Sequence, residues 1–539
     1  MNVSIIEPAV ETWGHHQLLC LSGLEGASPW KDGLVARQIN GHRTGVKVCM
    51  PGNADLWFPA GEPRDVQFSG ESFSLSLGGH TLTGVMPDPY HLLVQGPVEI
   101  EAKDASLRIE TSGKRVLVGV AERFDASWLR LDDISALHTT RMDEILSLPV
   151  PAELDASGAS AYRKAVLMMR SQVYSPEGMI RHRWTTPERW PHHDMWLWDS
   201  VFHALGWRHL DPAMARDAIS AVFDCQRADG FIPHRMTPAG EASDFTQPPL
   251  LAYAVECIHD QHPAPEWVRD LYPRLCAYLE WDLANRDLDG AGLLEWNIEV
   301  HLNCRSGESG ADNSPRFDGA VPLDAVDFNA FIACEFDCMA RLAPLAGNAD
   351  EADMWRERSA RIKSLIRSTL WDAENGFYFD FDPAARDFHR VWASSGFMPL
   401  FCGAATEEQA AELVRHLQTG GRFDTPLPVA SVAPSDSTYE KDMWRGPGWF
   451  NHSWLIAEGL DRYGYTKEAG EIRDRWLRIL TRDHDQFGTF FEYYDCEDAE
   501  TPDLLLRKGR NEPAFPHQAI HYFGWTGTLF VDLCHRFRS

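Results

Sequence analysis

The chain is short of positive charge: 50 Lys and Arg stand against 79 Asp and Glu, a formal net charge of −29 over 539 residues. Such a surface repels a phosphate backbone or an anionic bilayer, so neither nucleic acid nor membrane is expected as a partner. No run approaches the ~18 apolar residues of a membrane span. Residues 1–16 have neither a basic start nor a long apolar stretch, so no secretory leader is expected. Cysteine is sparse, 11 in all, and no CxxC pair occurs. Cys334 and Cys338, four apart on an expected helix, read as buried thiols rather than a metal or redox site. A reduced, cytoplasmic protein is the expectation. HExxH, P-loop and GxSxG are missing, which removes the case for a zincin, an NTPase or an α/β-hydrolase.

What is present is an apolar share of 44% and 20 tryptophans. The first excludes global disorder; the second points to aromatic platforms of the kind on which sugars stack. Two regimes divide the chain. Over residues 1–135 the apolar period is two. Phe73-Ser74-Leu75-Ser76-Leu77 runs into Gly78-Gly79, and short alternating runs follow at 98–102, 107–110 and 116–120. This predicts an antiparallel β-sandwich with a supporting or substrate-shaping role. Residues 136–157 read as a linker. From 158 to 539 the period becomes helical and twelve helices are expected. Asp211-Pro212 marks one start, Thr406 to Gln409 fits a capping box, and Gly420-Gly421 lies just past that helix. Short connections alternate with long ones rich in Trp, Asp, Glu and Gly. The pattern predicts a mainly α fold, an (α/α)6 barrel of six helical hairpins with its functional loops gathered at one end.

Four long loops carry residues suited to chemistry. In His192 to Asp199 (HHDMWLWD), Trp196 and Trp198 alternate ahead of a helix that Asp199 can cap. The pattern reads either as a capped helix with core tryptophans or as a sugar platform. His192-His193 reads as loop packing. The run Glu308 to Asp318 (ESGADNSPRFD) is dense in turn formers and carboxylates, with Asp312 at its centre. On spacing alone it is a solvated loop or a catalytic one. In Trp444-Arg445-Gly446-Pro447-Gly448-Trp449, glycines flank a proline between two indoles, so the backbone can approach a ligand that both rings face. In Phe490 to Tyr494, Glu492 sits among four aromatics, and placement at a cleft would suit a general base.

Together with Gln247-Pro248-Pro249 and Gly524-Trp525-Thr526, these motifs occur in an order that resembles glycoside hydrolase family 63. The likeness is greatest to its bacterial members, which include mannosylglycerate and glucosylglycerate hydrolases and α-glucosidase-like enzymes. It covers roughly 180–535. The resemblance implies an (α/α)6 barrel and exo-acting, inverting hydrolysis of an α-linked glucosyl or related glycoside, with an oligosaccharide or small glycoside as substrate and no cofactor. Asp312 matches the family's general acid and Glu492 its general base. Trp198 and Asp199 match the pair lining the −1 subsite, with Trp196 beside them. Gln247, Trp444, Gly446 and Trp449 match sugar-contacting positions. Trp296 and Glu308 lie in matching loops. Inversion uses a protonated acid on one face of the sugar and a carboxylate activating water on the other, about 6.5–9.5 Å apart. Asp312 is therefore expected to have a raised pKa.

The chain departs from that pattern twice. A short turn after Asp495 is replaced by an insertion, 496–516, carrying Arg507, Lys508 and Arg510 and closing in Pro513 and Pro516. It is expected either to cover the leaving-group side of the pocket, with part of the N-terminal domain, or to be a mobile surface loop. Glu512 is a competitor for the base role. In Asp287 to Leu293, Ala291 stands where a calcium loop of some members has its third oxygen ligand, so a Gly-rich turn is expected and no metal, Ca²⁺ being the one cation in question. Two other classes of function remain. A phosphorylase or epimerase on the same barrel needs a phosphate pocket in place of Glu492, or paired histidines. A non-catalytic sugar-binding protein would not be expected to keep both carboxylates.

Overall fold

The computed structural model describes residues 18–20, 35–39, 45–49, 53–61, 64–68, 72–88, 90–102, 105–188, 194–301, 304–509, 519–520 and 522–536. The chain divides into two compact units. One comprises Met1–Met195, Leu480–Phe490 and His521–Ser539, and the other Trp196–Ile479 and Phe491–Ile520.

The described residues of the first unit hold two large antiparallel sheets and a two-stranded one, Val173–Tyr174 with Trp184–Thr185. Five strands run in the order Leu18–Cys20, Val35–Ile39, Gly45–Cys49, Asn53–Trp57, Glu99–Ala102. Six run in the order Leu107–Ser112, Arg115–Val120, His91–Gln95, His80–Asp88, Ser72–Leu77, Arg64–Phe68. The period-two pattern does what it predicts. Phe73, Leu75 and Leu77 point inward and join Val46, Val48, Ala54 and Leu56 of the other sheet in one core, which makes the pair a sandwich.

The outer face of the six-stranded sheet is also apolar. Val85, Leu93 and Leu117 pack there against Ile134, Trp128 and Leu131. The stretch read as a linker is thus partly a helix, Ile134–Leu146, whose Met142 meets Leu167 of the next helix, Ala156–Ser171. Its Ile134 serves the back of a sheet rather than a neighbouring helix. The last helix, Gly524–Arg536, belongs to this unit, where His535 lies 2.9 Å from the Tyr162 hydroxyl.

The second unit is helical: Leu197–Trp207, Pro212–Asp224, Leu251–Gln261, Pro265–Arg286, Val326–Ala346, Ala352–Thr369, Met398–Phe401, Glu407–Leu417, Phe450–Arg462 and Thr466–Phe487, the last divided by the unit boundary. Each of the twelve expected helices has a counterpart. Local chemistry explains the ends. Asp211 accepts from the amides of Ala213 and Met214 (2.9 and 3.1 Å), and Thr406 and Gln409 form a reciprocal capping box. The helix expected from 246 starts at Leu251, past Gln247-Pro248-Pro249, because each proline bars the residue before it from the helical region. Its first amides, Ala252 and Tyr253, are capped from a neighbouring helix by the buried Glu335, both at 2.8 Å. The helix expected over 393–402 is a 3-10 turn, Ser394–Phe397, followed by a single α turn. No helix among the described residues is long and apolar enough to cross a membrane.

Candidate active site

The four long loops are fastened together by an aromatic stack and by main-chain hydrogen bonds. The Trp198 amide donates to the Gln247 side-chain oxygen at 2.9 Å, which fixes the start of helix Leu197–Trp207. The Asp312 loop lies on the face of that indole: at Gly310, φ +71°, a Cβ would stand 2.1 Å from the Trp198 ring. Glycine satisfies both the left-handed backbone and the close approach. The Trp444 ring follows at 6.4 Å, and Trp449 stacks on it at 3.8 Å and 7°. Tyr493, next to Glu492, comes after Trp449 at 4.9 Å. The Trp444 amide donates to Asn313 at 2.9 Å, and Gly448 and Tyr494 exchange backbone bonds at 2.8 and 3.0 Å. Trp198, Trp444 and Trp449 are 1–2% exposed, so these rings act mainly as the packing between loops.

The insertion supplies the charges. Lys508 Nζ lies 2.7 Å from Asp312 Oδ2. Arg507 reaches both oxygens of Glu492, at 3.2 and 3.3 Å. Asp312 and Glu492, 180 positions apart in sequence, are thus held by consecutive residues. This corrects the expectation of a raised Asp312 pKa. Burial pushes the carboxyl up, but Lys508, with Arg507, outweighs it and holds it below its ordinary value. The segment carrying these cations is part of the wall. Leu506 bridges to Lys441 and Met443 (3.0 and 3.2 Å), its carbonyl accepts from Tyr493 at 2.7 Å, and Asp442 accepts from the amides of Lys508 and Gly509. Arg510, Glu512, Pro513 and Pro516, like His192 and His193, lie outside the described residues.

The other expected site residues fall in different places. Trp196, half-buried, is the residue capping helix Leu197–Trp207, edge-on to His234 at 6.5 Å. Asp199 is buried in the first helical turn. It is not the cap it was expected to be, because Gln247 fills the acceptor role. Gly446 is extended, and a Cβ there would meet the Glu440 carbonyl at 2.4 Å and the Tyr439 ring at 2.6 Å, so its lack of a side chain serves packing. Trp296 is buried against Phe328 at 3.8 Å and donates to Asp327 at 2.9 Å; Asp327 in turn pairs with Arg316, which also holds Asp380. Glu308 is 0% exposed. Arg286 (2.6 and 2.8 Å) and the amides of Thr246 and Asn297 (3.1 and 2.7 Å) take both its oxygens.

Two histidines went unread in the sequence. His234 stacks on Phe245 at 4.4 Å, with Nδ1 2.6 Å from the Ser243 hydroxyl. His452 lies 4.7 Å from Trp444, with Nδ1 2.8 Å from the Ser394 hydroxyl. Burial lowers both to about 3, so they are neutral. Single histidines in apolar contexts carry no spacing signal.

Asp289, Glu295 and Asp324 bring carboxylate oxygens within 4.8 Å of one another. Asp324 is 2% exposed, and its Oδ1 has no hydrogen-bond partner. This donor set fits a hard cation such as Ca²⁺, which would brace the loop without taking part in chemistry. Asp324, far along the chain, would supply the oxygen that Ala291 lacks. Asp287 accepts from the Gly292 amide instead.

Residues 191–526 match the family model described as a mannosylglycerate hydrolase MGH1-like glycoside hydrolase domain. Mannosylglycerate hydrolase of Thermus thermophilus is 28% identical over 430 residues, which cover 64% of this chain and 97% of that protein. The solved structure of a GH63 mannosylglycerate hydrolase of Thermus thermophilus in complex with glucose aligns with a TM-score of 0.58 at 26% identity, over 69% of this chain and 99% of that one. The same enzyme in complex with Tris and D-glycerate aligns at 0.55 and 25%, with the same coverage. The chain belongs to this family: it is a glycoside hydrolase of the family 63 type.

Proposed function

We propose that this enzyme is an exo-acting, inverting α-glycosidase on an (α/α)6 barrel, releasing an α-linked glucosyl or mannosyl unit from a small aglycone such as glycerate. The observation that carries the reading is that Asp312 and Glu492 are held by consecutive residues, Arg507 and Lys508, within one assembly of loops. Asp312, once protonated, gives its proton to the glycosidic oxygen. Glu492 takes a proton from water, whose oxygen attacks the anomeric carbon from the opposite face as the bond to the aglycone breaks. The products are a sugar of inverted configuration and an alcohol, and solvent returns the two carboxyls to their starting states. Trp196, Trp198, Asp199, Gln247, Trp444, Gly446 and Trp449 shape the sugar subsite. Glu308 and Trp296 act through the loops they brace. The cysteines described in unit Trp196–Ile479, from Cys225 to Cys402, are free thiols, which suits the reducing cytoplasm.

The test is incubation with α-glucosides, α-mannosides and their glycerates, with and without phosphate, following the anomer by NMR. Release of the β-anomer independent of phosphate is expected. Retention of configuration would overturn the mechanism. A sugar phosphate as product would favour phosphorolysis, for which the two cations are the one feature in support.

A further inference from the structure

Among the described residues, few titratable groups face Asp312. Around it stand Lys508, Arg507, His234, Glu299 and Cys304. His234 is buried and neutral, burial raises both Glu299 and the Cys304 thiol, and Arg507 is engaged by Glu492. With both carboxylates ionised, Asp312, Glu492, Arg507 and Lys508 sum to zero. A general acid must carry its proton, and protonating Asp312 takes from the Lys508 charge the carboxylate it is paired with. A neutral leaving group does nothing to offset that charge, whereas an anionic one cancels it.

The geometry shows which cation can move. Arg507 grips Glu492 with two nitrogens. Lys508 makes one contact from a flexible stem, is 24% exposed, and has its main chain anchored separately by Asp442. Its Nζ can therefore turn to a ligand without the loop leaving its seat. Lys508 also sits at φ +58°, a left-handed conformation that non-glycine residues rarely adopt.

On the reading of Asp312 as general acid, we propose that Lys508 is a ligand-released clamp on it: an anionic group on the leaving-group side of the substrate takes Lys508 over, and Asp312 takes up a proton from solvent. Anion binding and protonation of the acid then favour each other, as linked equilibria must. Lys508 is a positioning residue in this scheme, and it sets specificity for a charged aglycone.

The experiment has two parts. D-glycerate and glycerol are titrated into the enzyme by calorimetry, each in two buffers of different ionisation enthalpy. Binding of D-glycerate should take up close to one proton in the wild type and none in Lys508→Met, with Lys508→Arg intermediate. Kinetics then compare glycosyl-glycerates with glycosyl-glycerols carrying the same sugar. The wild type should prefer the anion by on the order of tenfold in kcat/KM, a ratio that falls to about one in Lys508→Met. The basic limb of that variant on the neutral glycoside should move to higher pH. Proton uptake or anion preference unchanged in Lys508→Met would overturn the clamp, as would a wild type with neither. A wild type that binds D-glycerate with proton uptake yet cleaves no glycoside would instead overturn the glycosidase reading and leave the clamp standing.

Discussion

The Trp198 ring fills the space where a side chain on Gly310 would be: a Cβ would stand 2.1 Å from it, and φ is +71°. Gly310→Ala should therefore lose on the order of 1–3 kcal/mol and most of its activity, since the clash lies two residues from Asp312. Urea unfolding and kcat measure both effects. Trp198→Ala should cost less on top of Gly310→Ala than in the wild type, and a double-mutant cycle with no coupling would contradict the contact.

Asp312→Asn and Glu492→Gln should each lower kcat by on the order of 10²–10⁴-fold, with the fold retained. Circular dichroism controls for structure. Near-normal turnover by either variant on a glycoside with a poor leaving group would remove that residue from the mechanism.

Glu308 is predicted to matter for stability first. Glu308→Ala strands Arg286 and two loop amides, and breaking a buried pair costs about 3–5 kcal/mol. Activity should fall with the folded fraction and return at low temperature. Loss of kcat at full stability would instead put this carboxylate on the substrate.

The cluster at Asp324 gives a pH signature. Burial first, then Glu295, Asp289 and Asp287, raise Asp324 from 3.8 to about 7. A carboxyl raised on folding contributes stability below its unfolded pKa and loses it as pH rises toward the folded value. Asp324→Asn should therefore gain on the wild type between pH 3.8 and about 7, by up to about 1.4 kcal/mol per unit. Ca²⁺ should raise the wild-type Tm at neutral pH and leave this variant unmoved. Equal response of both chains to Ca²⁺ would exclude the cluster as its site.

Much of the fold was legible in local pattern. Alternation at 73–77, the capping box at Thr406 and the Asp211-Pro212 start each acted as local chemistry dictates. The helix Ile134–Leu146 was not, because its apolar face matches the back of a sheet rather than a neighbouring helix. The four loops were also readable, but the roles within them were less so. Trp296 and Glu308 are recognisable as loop residues, whereas their engagement by Asp327 and Arg286 depends on packing. The sign of the Asp312 shift rests on Lys508, a partner that spacing cannot assign. That the insertion carried an unusual basic cluster was visible; which carboxylate each cation would meet was not.

Asp442 grips the 508–509 turn through its amides, and Leu506 is bonded through its backbone. None of these ties depends on which side chains occupy 507 and 508. That two-residue window is therefore an exchangeable cassette: point changes can alter the charge greeting the aglycone while the surrounding scaffold stays put. A change of charge there needs only single substitutions, without the compensating changes that a rebuilt loop would demand.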